Sequence, residues 1–452
     1  MSSSHILSVL FAGTAGNDLP TGRTPRRAAF GLPKRIEWSH RLRPFVFACV
    51  GVLVALLSEV TSRGQNAPPN PPPETVFARL FPKYTGTNGY EDLVAAGDLI
   101  ANSEVVRVAE LGDPTLKQMR QALEDPNVER ALGMMRAGLD KAIQSPRDPD
   151  KIDQETLYPE YAEFRRMARV LMMEEYVALA DGRLSKAIDT MRDGLRLGYD
   201  IQSETMISGL VGIAIDAIAV RHISRHYDQM ALRDCIQMAG IAQEWLRLPC
   251  PAEAVFTMEH RCLLNIIDGC RKDPARLGKL VNLLPSDDTS LSELDLTATD
   301  LSDYASTNSA EVGGMLDQAA ALANSQFRVL IAEIPKPAWQ RKPLPKFETH
   351  ASMAHKLCGL LILTYGGAME KFDLDRVKMH LLGTHAAIHR FRWEHNRLPG
   401  SLAELKIPAL TMDPFSGNPL VYGVKGTSYE LYSVGAAGGA VTGPITLPRQ
   451  AR

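Results

Sequence analysis

The chain has 452 residues, 45% apolar and 23% charged. That is long enough for two to four domains with sizeable cores, and too ordinary a mixture for a disordered, collagen-like or disulfide-scaffold protein. Fifty Lys and Arg against 52 Asp and Glu leave a net charge of −2, which excludes a nucleic-acid binder working through sheer positive charge. The balance is uneven, because Arg23, Arg26, Arg27, Lys34, Arg35, Arg41 and Arg43 face only Asp18 and Glu37 in residues 1–43. The rest of the chain is acidic.

Directly behind that basic tail, Pro44–Ser58 (PFVFACVGVLVALLS) is apolar almost throughout. Cations ahead of a short apolar run hold the N-terminal side in the cytoplasm, so the chain after Ser58 is expected outside it. Fifteen helical residues rise roughly 22 Å, less than the ~30 Å hydrocarbon core. The length suits a short anchor, a signal-peptide core or a buried helix. A cleavage site is poorly written, since Glu59 follows at once and Gln65-Asn66-Ala67 lacks a small first residue. The expected address is a single-pass membrane protein with an extracytoplasmic body. Five cysteines then remain (Cys235, Cys250, Cys262, Cys270, Cys358), an odd number that implies at least one free thiol. No CxxC occurs, and buried small hydrophobes are the plainer reading of these thiols.

Residues 59–75 form a Pro-rich linker. From Val76 to about Leu284 apolar residues recur every three or four positions, which predicts a helical domain. Tyr161–Ala180 and Leu184–Leu197 read as two amphipathic helices broken at Asp181-Gly182. Their spacing loosely resembles a tetratricopeptide hairpin, but Glu174 and Glu175 stand where that repeat takes small apolar residues, and no second copy occurs at a fixed period.

Met206–Val220 (MISGLVGIAIDAIAV) is apolar nearly all round, the mark of a helix surrounded by others, and Lys356–Met369 has the same character. Asp216 and Ser208 argue against a second membrane span. A carboxylate on such a helix must be paired, hydrogen-bonded or neutralised. Asp216 is therefore either one half of a buried pair with an arginine or a catalytic acid. Leu280–Phe327 holds eight acidic residues and no Lys or Arg. It reads as a solvated segment with one or two short helices, or as a calcium-attracting loop without EF-hand spacing. Residues 285–346 are thus expected to be an acidic, then Pro-rich, connector. Residues 347–398 follow as helices packing on the body.

The sequence contains no phosphate-binding glycine loop, dinucleotide fingerprint, H-E-x-x-H or G-x-S-x-G. One constellation remains. His385 and His389 stand one helical turn apart with His380 and His395 nearby, so a transition metal could be gripped there, or the histidines could cover an interface.

Residues 399–452 read as a small β-hairpin module and tail. Pro399 and Gly400 end the preceding helix, Ser401 with Glu404 can cap the next turn, and Leu420–Val424 and Tyr429–Val434 alternate as strands. Leu398-Pro399, Ser401-Leu402, Leu405, Asp413-Pro414-Phe415, Gly417, Pro419 and Tyr429 to Gly435 resemble the C-terminal part of type II secretion major pseudopilins. That resemblance covers about fifty residues, Ala387–Gly435. The pseudopilin processing motif and long N-terminal helix are missing, and Ala436-Ala437 replace the family's acidic calcium-loop residue. The whole layout also resembles bacterial envelope proteins, a likeness that brings no reaction with it. The expectation is a mainly α fold, a helical bundle or irregular repeat ending in a small α+β hairpin. As function we expect a membrane-tethered interaction module with protein partners, against an envelope enzyme using Asp216, His385 and His389, or a secretion-system component.

Overall fold

A computed structural model describes residues 75–110, 113–153, 155–202, 204–281, 304, 309–342, 351–362, 365–435 and 444–447. The apolar run 44–58, the Pro-rich linker up to residue 74 and the acidic stretch 282–303 lie outside the described residues.

The body is helical, as the three-to-four periodicity predicts. Its first half comprises α1 (Val76–Leu80), α2 (Gly89–Ala101), α3 (Glu104–Glu110), α4 (Leu116–Leu123), α5 (Pro126–Leu139), α6 (Glu160–Ala180), α7 (Leu184–Ile201) and α8 (Met206–Val220). The second half comprises α9 (Leu232–Arg247), α10 (Ala252–Lys272), α11 (Arg276–Val281), α12 (Ser309–Glu333), α13 (Met353–Ile362), α14 (Tyr365–His395) and the single turn α15 (Pro408–Thr411). Side chains set the starts: Thr75, Asn88, Thr115, Asp125 and Thr205 each accept a hydrogen bond from an N–H of the first turn of their helix. The break between α6 and α7 falls at Asp181-Gly182. Gly182, at φ +70, donates to the Leu179 carbonyl and Arg183 to that of Ala178, the paired closing bonds of a left-handed helix end.

Three hydrophobic cores hold the helices. The first joins α1–α6 and the end of α7, the second joins α10–α13 with the start of α14, and the third joins most of α7 with α9, the rest of α14 and the C-terminal module. Helix α8 enters all three: Met206 joins the second, Val211 and Ile215 the first, Ala219 and Val220 the third. It packs against α6, α7, α10 and α14, as its all-round apolar sequence predicts. Among the described residues, Met206–Arg225 is the one segment long and apolar enough to cross a membrane by length and composition. More than half of that segment is buried by its neighbours.

The connector expected over 285–346 differs from the structure. It contains α12, one 25-residue helix, where a solvated segment with one or two short helices was expected. Val312, Met315, Leu316, Ala319, Ala323 and Phe327 are buried there against α10 and α13. Acidic side chains masked an apolar stripe at helical spacing.

The C-terminal module folds as an antiparallel hairpin, β1 (Val421–Lys425) with β2 (Ser428–Tyr432), in register Val421↔Tyr432 through Lys425↔Ser428. Gly426 takes φ +62 in the two-residue turn, the left-handed backbone that suits the twist of hairpin strands. Leu402, Leu405, Leu420, Tyr429 and Leu431 share a core with residues 377–391 of α14. The hairpin therefore packs on the helix that precedes it. Asp413, fully buried, fixes the intervening turn by accepting from Phe415 N–H (3.0 Å), Ser433 hydroxyl (2.9 Å) and Val434 N–H (3.0 Å). Trp339, just after α12, lies on the backbone of Gly417 so closely that a methyl group there would enter the indole.

Candidate functional site

Asp216 stands on α8 where the three cores meet, with no exposed surface. Among the described residues no arginine pairs with it. Gln202, just past α7, donates its amide to Asp216 Oδ2 at 3.0 Å, and the second partner is another carboxylate, Asp375 of α14, itself 2% exposed. Asp375 sits between the α14 residues that join the second core and those that join the third. Space for the pair comes from α7 and α8. A Cβ at Gly198 would collide with the Asp216 carboxylate, and one at Gly212 with the Gln202 side chain.

The electrostatics follow from that enclosure. Oδ1 of Asp216 and Oδ1 of Asp375 are both buried without any donor. Two carboxylates are acceptors only, so they can bond each other only when one carries a proton. Burial pushes Asp216 well above the usual carboxylate range, and the Asp375 charge pushes it further. Burial also raises Asp375, to about 6, while the fields of Lys378 and Arg376 and the bond to Asp216 work the other way. Both shifts favour a proton held between the two carboxylates, more strongly at Asp216 than at Asp375. Sequence reasoning missed Asp375, which lies in a charged run (KFDLDRVK) that reads as a solvated face. The available signal was Gly198, Gly209 and Gly212 on facing helices, small residues that let backbones and a buried polar group approach.

His385 and His389 are buried on α14, against the hairpin. His385 Nδ1 is 2.8 Å from the Tyr429 hydroxyl, and its ring stacks on Tyr227 at 4.9 Å. His389 lies 5.9 Å from the Tyr227 ring, with Nε2 3.9 Å from Asp228. The two imidazoles line an aromatic seam between helix and hairpin. His380 bonds the Leu410 carbonyl at 3.0 Å, and burial lowers it to about 4. Among the described residues, no three His, Cys, Asp or Glu side chains converge to hold a metal ion. Any calcium site in residues 282–303 lies outside the described residues.

Other buried ionisable groups are likewise enclosed. Glu175 of α6 accepts the Ile223 N–H at 2.8 Å, and burial raises it well above the carboxylate range. The five cysteines are free, and burial pushes Cys235, Cys262 and Cys358 up to about 12, so none of these three is a reactive thiolate. A buried network that the sequence did not announce surrounds Arg147. Its guanidinium grips Glu160 and lies 3.7 Å from Glu204. Tyr90 donates to Glu160 at 2.8 Å, Tyr161 to Glu204 at 2.8 Å and Ser145 to Glu204 at 2.6 Å.

Open surface concavities are of another kind. A cleft of about 330 Å³ between α4, α5, α6 and α7 carries Arg120, Arg136, Arg183 and Lys186 among Glu124, Glu129 and Glu174. Arg136 bridges Glu174 and Asp193, Lys186 holds Glu174 at 3.1 Å, and Arg120 and Arg183 both hold Asp181. A shallower hollow of about 470 Å³ between α10 and α12 is lined by His260, Asn324, Arg328, Ile331 and Ala332. Neither contains Asp216, Asp375, His385 or His389. Compared with family models, curated proteins and solved structures, the chain matches none.

Proposed function

We propose that the chain is a membrane-tethered, extracytoplasmic helical interaction module that docks protein partners on its mixed-charge cleft between α4 and α7. One observation carries this reading. The acids and histidines suited to chemistry are enclosed in packed helices, whereas the cleft wall presents Glu174 paired with Arg136 and Lys186 beside Glu124 and Glu129. A substrate needs convergent reactive groups at the base of a pocket, while a partner needs an accessible patterned surface. The membrane address rests on residues 44–58 behind Arg41 and Arg43.

Photo-crosslinking residues placed at Glu129 and Arg183 in intact cells, with the exposed Val424 as control, test the docking surface. We expect discrete adducts from the cleft positions only. Equal adduct yields from all three positions overturn the cleft as docking site. Membrane fractionation and external protease treatment of the same cells test the address, and recovery of the body in the cytosol overturns it.

A second reading, a secretion-system component, is favoured by the packing of the 399–435 hairpin on α14 and by the Asp413 cradle, which occupy the pseudopilin-like stretch.

A further inference from the structure

We propose that Asp216 and Asp375 form a one-proton latch that holds α8, α7 and α14 together where the three cores meet, and that loses its grip as the proton leaves. The geometry demands a proton. Each carboxylate has one oxygen buried with no donor, both side chains are almost completely buried, and Gly198 and Gly212 leave the helices too close for another bridging group.

The surroundings offer no substitute donor. Gln202 of α7 already binds Asp216 Oδ2. On α6, Glu175 binds the Ile223 N–H, and on α10, Glu259 binds the Met206 N–H at the other end of α8. On α14, Lys378 acts through its field alone, and Arg376 is spent on the Leu246 carbonyl of α9 at 2.9 Å and on the Trp245 ring. Among the described residues no cation lies in ion-pair contact with either aspartate. The sign follows. A carboxyl held protonated in the fold stabilises it fully below the ordinary carboxylate pKa, and that contribution is lost as pH rises toward the folded value.

The experiment compares the full chain with Asp216→Asn and Asp375→Asn by denaturant unfolding from pH 6 to pH 8. The amide that Asp216→Asn introduces donates permanently to Asp375, while its oxygen still accepts from Gln202. Asp216→Asn should therefore gain on the wild type as pH rises, by at most about tenfold in folding equilibrium per pH unit. A stability difference that stays constant with pH overturns the latch. If Asp216→Asn does not fold, the infrared carbonyl stretch of a protonated acid decides in the Glu175→Gln variant at pH 8, where the other buried acid well above the usual range is gone. The band should persist there, and its frequency should shift in Glu175→Gln/Asp375→Asn, where an amide replaces the carboxylate that takes the hydrogen bond. Its absence from Glu175→Gln overturns the proposal.

Discussion

Two buried carboxylate pairs face the same problem in different parts of the helical body. Glu160 and Glu204 have a guanidinium between them and three hydroxyl donors around them, so counter-charge is built into their burial. Asp216 and Asp375 have one amide and no bonded cation, so one of them stays neutral. The contrast teaches that these two pairs meet the cost of burial differently, one by hydrogen-bonded counter-charge and the other by a retained proton. The second arrangement ties stability to pH.

The largest effect should come from breaking the first solution. Arg147→Met leaves Glu160 and Glu204 buried without their cation and should cost about 3–5 kcal/mol in denaturant unfolding. Gly198→Ala attacks the second by driving a methyl group into the Asp216 carboxylate, and should lower stability by about 1–3 kcal/mol. Thermal unfolding by circular dichroism measures it, and an unchanged midpoint would mean that α7 and α8 separate freely. Asp413 sharpens the comparison, since two N–H groups and a hydroxyl donate to its buried carboxylate. Asp413→Asn, which removes one acceptor oxygen, should cost about 1 kcal/mol. Protease cleavage at the β1–β2 turn should accelerate while the helical body stays intact. At the surface, Glu104 and Arg107 form a fully exposed pair, and Arg107→Ala should leave the unfolding midpoint unmoved.

Much of the fold was legible because local rules decide it. The Asp181-Gly182 stop, the all-round apolar α8 and the alternating strands of the hairpin are set by residues close in sequence. Helix α12 was misread because a count of acidic residues outweighed the recurrence of Val312, Leu316, Ala319, Ala323 and Phe327. The site was half legible. A lone carboxylate among Ile and Ala on α8 announced a constraint at Asp216. Its partner Asp375 comes from a distant helix, and no local pattern encodes which helices will touch. The same limit hid Arg147, whose partners Glu160 and Glu204 come from α6 and the α7–α8 junction.

The indole of Trp339 resting on Gly417 gives the molecule its own optical reporter. Half of that residue faces water while its ring covers bare backbone, whereas Trp245 is buried and Trp393 is 60% exposed. Any event that lifts the tail away from the segment after α12 must uncover the sheltered side, and its fluorescence emission will move to the red. The undocking of the C-terminal module can therefore be followed in unlabelled protein.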